Sequence, residues 1–132
     1  MEKNKISFER ELRSKSANII WALISTPEGL AKWMADDVKS DGSNMTFTWG
    51  NTWSLHETRT ASVIEKKKME YIRLRWGEEE YNGTYFELRL SRSDITGDYI
   101  LTITDFAPDG DTETLEDIWD ANLETLHRST GL

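Results

Sequence analysis

The stretch Ser25-Thr26-Pro27-Glu28-Gly29-Leu30-Ala31-Lys32-Trp33-Met34 constrains the fold most, because it starts a second short helix directly after a first. The first helix is predicted from Ser16 to about Ile24. Thr26 is suited to cap the second, and Pro27 fits its first position, where no N–H is needed. Glu28 in the first turn complements the positive end of the helix dipole. One strand precedes this pair, while a run of strands and a final helix follow. That order predicts a sheet wrapped around a helix, with room for a ligand between them.

The strands are read from alternation. Ile6, Phe8 and Leu12 alternate with Ser7, Glu9 and Glu11, which predicts a first strand over about residues 4–13. After the helix pair comes a short strand near Val38, an Asp41-Gly42 turn, and a strand with Met45, Phe47 and Trp49 on one phase. Gly50-Asn51 reads as a tight hairpin turn. Trp53, Leu55, Ala61 and Val63 share one phase of the next, long strand. Lys66 to Glu70 is a turn. Ile72, Leu74 and Trp76 then mark a strand whose other phase carries Arg73 and Arg75. Asn82-Gly83 predicts a hairpin before Phe86, Leu88 and Leu90, and Gly97-Asp98 turns the chain into Tyr99 to Phe106. Leu115, Ile118, Trp119, Asn122, Leu123 and Leu126 then recur at helical spacing. Asp111 or Thr114 is the expected cap of that helix. His127 and Arg128 suit its C-terminal end, and Gly131 terminates it.

At 132 residues the chain is expected to form one domain over 1–132, burying roughly two thirds of its unfolded surface. A formal charge of −8 argues against nucleic-acid binding, which needs a basic surface. The single basic run, Lys66-Lys67-Lys68, is flanked by Glu65 and Glu70 and reads as a solvated turn. Without cysteine there is no disulfide framework, thiolate nucleophile or Cys-ligated zinc. Neither a signal peptide nor a membrane-inserting run is visible, so the expected location is cytoplasmic.

The order strand, helix, helix, about six strands, helix resembles the START-like or SRPBCC superfamily, also called the helix-grip fold. The segment Thr26-Pro27-Glu28-Gly29-Leu30-Ala31-Lys32-Trp33 is similar to a motif of its heat-shock ATPase activator-like branch. Ile72-x-Leu74-x-Trp76 and Trp119-x-x-x-Leu123-x-x-Leu126 are similar to that branch as well. The resemblance implies an α+β fold. Six to seven antiparallel strands form a curved sheet, two short helices follow strand 1, and a C-terminal helix packs over the sheet. In this chain Met34 stands where a second aromatic often follows Trp33, and the final helix reads as short.

No common catalytic, phosphate-binding or metal-ligating motif is present, and no cofactor is implied. His56 lies on the polar phase of its strand, and His127 in the last helical turn, without metal-ligand spacing. The acidic clusters Asp36-Asp37, Glu78-Glu79-Glu80 and Asp109-Gly110-Asp111 read as exposed loops and caps rather than cation sites. The informative charges are those in an apolar strand phase. Glu57 and Arg59 share the face of Ala61 and Val63, Arg10 that of Ile6 and Phe8, and Asp105 that of Leu101 and Ile103. With period two they point to the covered side of the sheet unless a bulge turns them outward. There they pair within the fold or line a hydrated cavity, since an unpaired buried charge costs several kcal/mol.

The resulting candidate site has Glu57 and Arg59 as polar floor and Trp49, Trp76, Phe86 and Trp119 as walls, with Asp105 and Leu123 beside them. The first functional expectation is an apolar or amphipathic small molecule held between sheet and last helix, as START-like relatives bind lipids, hormones and polyketide-like compounds. The alternative is a protein-interaction, co-chaperone-like domain whose acidic surface steers a basic partner. Cyclase or dehydratase chemistry, with Glu57 or Asp105 as acid–base group, ranks below both.

Overall fold

The computed structural model describes residues 3–50, 56–77, 83–108 and 110–132. Strand β1 (Lys3–Glu11) leads into helices α1 (Ala17–Ser25) and α2 (Pro27–Leu30). Strands β2 (Asp37–Asp41), β3 (Asn44–Gly50), β4 (His56–Lys67), β5 (Tyr71–Trp76), β6 (Phe86–Arg92) and β7 (Tyr99–Pro108) follow, and α3 (Thr112–Thr130) ends the chain. The seven strands form one sheet in the order β1-β7-β6-β5-β4-β3-β2, antiparallel throughout. This is the α+β helix-grip arrangement. Because β1 and β2 occupy opposite edges, the α1–α2 pair must carry the chain across the sheet.

Local chemistry explains that crossing. The Ser16 side chain caps α1 by accepting from the Ile19 N–H. Thr26 serves both helices: its Oγ1 accepts from the Gly29 N–H at 3.0 Å, and its hydroxyl donates to the Ala22 carbonyl at 2.6 Å. Pro27 takes the first position of α2. Leu30 and Trp33 are buried, and the Trp33 indole N–H donates to the Leu23 carbonyl at 2.9 Å. The TPEGLAKW segment is thus a capped, pinned corner.

The side chains of the inward phases build the core: Phe47, Ile72, Leu74, Phe86, Leu88, Leu101 and Ile103 from the sheet, with Trp119, Leu123 and Leu126 from α3. The first strand ends at Glu11, earlier than the alternation predicts, although Leu12 N–H still donates to the Tyr99 carbonyl at 2.8 Å. The final helix is 19 residues long, not short. Its apolar stripe runs from Leu115 to Leu126, and the last turn closes on Gly131, whose φ of 77° only glycine adopts readily. Asp111 sits at its N-cap position but makes no side-chain capping bond. The register of β4 against β5 shifts between Val63 and Glu65, beyond the in-phase charges, and leaves Ile64 exposed.

The expected hairpin residues Asn51 and Asn82, the in-phase Trp53 and Leu55, the cluster Glu78 to Glu80, Asp109 and the His56 side chain lie outside the described residues. Among the described residues, no helix is long and apolar enough to cross a membrane, and no group of acidic or histidine side chains is arranged to hold a metal.

Candidate functional site

The register of β3 against β4 settles the facing of the two unusual charges. Glu57 pairs with Trp49 and Arg59 with Phe47, so both stand on the face that carries the aromatic residues. A recess of about 310 Å³ opens there between the sheet and α3, lined by Trp49, Glu57, Arg59, Ile118 and Asn122. Trp49 and Arg59 are placed by definite contacts. The Trp49 indole N–H donates to the Met34 carbonyl at 2.7 Å, which fixes the ring edge-on to the corner after α2. The Arg59 guanidinium lies over the Trp76 ring, 4.0 Å from its centroid, a cation–π contact. Glu57 is exposed and Arg59 half-buried. Ile118 projects from α3 and stays 51% exposed, while its neighbours Trp119, Leu123 and Leu126 are buried.

Behind the recess, aromatic rings continue into the core. Trp49 meets Phe47 and Trp76, Trp76 stacks on Phe86 at 5.0 Å between centroids, and Phe86 meets Trp119 at 6.1 Å. This differs from the expected pocket. Phe86, Trp119 and Leu123 are buried in the core and are not in the lining of this recess, to which Trp49, Glu57 and Arg59 do contribute. Asp105 has a structural partner in the Trp119 indole N–H, at 2.9 Å. With Trp76 it borders a crevice of only about 10 Å³, room for no more than a water molecule.

Two lining residues were missed as site residues, Ile118 and Asn122. Their signal was present: they sit one turn apart on the apolar stripe of α3, and a polar Asn within such a stripe marks its edge. A larger recess, about 550 Å³, lies between α1, α2 and the C-terminal end of α3. Its lining is aliphatic and hydroxyl-bearing, with Glu28 and Lys32 and no aromatic ring.

The opposite face of the sheet carries a separate charge network. Buried Glu87 accepts from Arg73 Nε at 2.6 Å and from Arg89 Nε at 3.0 Å. Burial alone would push its carboxyl up, but hydrogen bonds from Arg89 and Arg73 outweigh this and hold it below the ordinary glutamate value. The same bonds raise both guanidinium groups. Tyr71 and Tyr85 flank Arg73, and the Tyr71 hydroxyl donates to Glu65. This network is satisfied internally and holds the β5–β6 pair together.

A family model described as a START-like superfamily domain matches residues 1–132. The chain belongs to the START-like superfamily. A START-like chain of this kind is similar to a Bacteroides fragilis protein solved in solution, at 41% identity over 97% of this chain and 91% of that one, with a TM-score of 0.64. An AHSA1-like protein from Aeromonas hydrophila aligns at 13% identity over 97% and 92% of the two chains, with a TM-score of 0.76. The Aha1 dimer from Colwellia psychrerythraea aligns at 15% identity over 97% and 98%, with a TM-score of 0.69. These last two place AHSA1-like proteins among the neighbours of this START-like fold, and at such identities they share the fold alone. No curated protein matches the sequence.

Proposed function

We propose that this START-like domain binds an apolar or amphipathic small molecule at the recess between β3, β4 and α3. One observation carries the reading: Ile118 is held exposed opposite Trp49, beside a charged pair, Glu57 and Arg59. Ligand sites combine apolar walls with a few placed polar groups, and this recess has both. Titration with anilinonaphthalene sulfonate, an aromatic anion, tests it by dye emission and tryptophan quenching. Saturable one-to-one binding that is lost in Ile118→Asp is the expected result. Because Ile118 is exposed, that change removes an apolar wall without opening the core. Absence of saturable binding in the folded protein would refute the reading.

The protein-interaction alternative draws on a different surface. Glu113, Glu116, Asp117, Asp120 and Glu124 are all exposed along α3 and would steer a basic partner. Salt-sensitive retention of a partner from native lysate, lost when these residues are neutralised, would favour that alternative.

A further inference from the structure

Trp49 and Asn122 line two recesses. On one side is the recess with Arg59 and Glu57. On the other, a recess of about 300 Å³ opens between the corner after α2 and α3, where Ala31, Met34 and Ala35 supply apolar surface. Lys32, Asp36 and Thr125 join Asn122 as the polar members of its lining. One indole and one amide are shared by the two linings, and we take them as the partition. The indole is pinned through its bond to the Met34 carbonyl, while Asn122 is a half-buried side chain on a short rotatable stem.

The two recesses have matching chemistry. Each offers apolar surface, one cation and one carboxylate: Arg59 with Glu57, and Lys32 with Asp36. The Asp36 carboxylate already accepts the Gly50 N–H at 2.6 Å, so Lys32 is the group that meets an acceptor at that end. At the other end Glu57 is exposed to water, which screens it, whereas half-buried Arg59 sits over Trp76 and lines the recess.

We propose that the two recesses are the two ends of one elongated site. This rests on the small-molecule reading above. Its ligand has an apolar middle that crosses the Trp49 ring and an acidic or other acceptor group at each end, one met by Arg59 and one by Lys32. Neither recess alone reaches the size of an ordinary ligand pocket by more than a narrow margin, whereas the pair falls well within that range.

Amide spectra of the labelled protein titrated with dodecanedioate and with hexanoate test this. Dodecanedioate is expected to move the amides of residues 31–36 and those of 57–59 and 118 together, with one midpoint. Hexanoate, too short to span, is expected to move the two sets with separate midpoints. In Asn122→Phe the bulkier partition is expected to split the dodecanedioate midpoints by about tenfold, and unchanged peaks elsewhere report an intact fold. Separate dodecanedioate midpoints in the unaltered protein, or movement of one set only, would overturn the single elongated site and leave the small-molecule reading standing. A joint midpoint for hexanoate, or one that survives Asn122→Phe, would overturn the spanning geometry. If neither probe moves either set, both proposals fall.

Discussion

The Trp119 indole N–H on α3 donates to Asp105 Oδ2 on β7 at 2.9 Å, and the other Asp105 oxygen accepts the Phe106 backbone N–H at 2.7 Å. One carboxylate therefore anchors the last helix to the sheet. This explains a charge in an apolar strand phase without any ligand, and it separates Asp105 from Glu57 and Arg59, which stand at the recess.

Removing that acceptor should loosen α3. Asp105→Ala leaves the N–H of a buried indole without its partner, and is expected to cost about 1–3 kcal/mol. Asp105→Asn retains an oxygen and should lose less. Urea unfolding of both variants measures this, and equal losses would show that the hydrogen bond is not what matters.

Strand phase was enough to place Glu57, Arg59 and Asp105 on the covered face, because period two is a property of the strand itself. Their partners were not legible. Arg59 lies on Trp76 only because β5 neighbours β4, and Asp105 meets Trp119 only because α3 packs across β7. For the same reason the burial of Phe86 and Trp119 was not legible: the depth of α3 over the sheet is set by many contacts at once. The helix corner was legible almost entirely, since Thr26 and Pro27 act within a few residues of themselves. Glu87 gave no signal, because its burial depends on flanking arginines and tyrosines from neighbouring positions.

Gly29 carries a part of the corner that no cap rule reveals. A Cβ built there would overlap the Ala22 carbonyl oxygen and lie 2.6 Å from Leu23 Cα, both backbone atoms that cannot swing aside. Gly29→Ala is therefore expected to cost about 3 kcal/mol or more, above ordinary overpacking, by forcing α1 and α2 apart. Thermal unfolding tests it against Ala31→Gly, a change at a half-buried position on the same corner that adds no atoms. A Gly29→Ala protein as stable as its parent would mean that the two helices do not approach this closely.

Arg59 is expected to matter more for binding than its contribution to stability suggests. Arg59→Met keeps an unbranched stem against Trp76 and removes the charge, so affinity for the anionic naphthalene dye should fall about tenfold. Salt should weaken dye binding in the parent and have little effect in the variant. Equal affinities and equal salt dependence would place the dye's sulfonate away from Arg59.

Acid sensitivity should trace to Glu87 on the other face. Burial pushes its carboxyl up, but the hydrogen bonds and charges of Arg89 and Arg73 win, so the folded value lies below the ordinary 4.5. A depressed folded value means that the unfolded chain takes up the proton first as pH falls. The contribution is thus complete above the unfolded value and is lost as pH drops through the folded one. Breaking a fully buried pair costs more, but Arg73 and Arg89 are 30% and 37% exposed, so Glu87→Gln should lose about 1–3 kcal/mol near neutral pH. Its deficit against the parent should then shrink from about pH 5 downward, because the parent gives up the same interaction on protonation. Urea midpoints of the two proteins at stepped pH measure that gap. A gap that stays constant down to the acid transition would show that Glu87 titrates alike in the folded and unfolded chains.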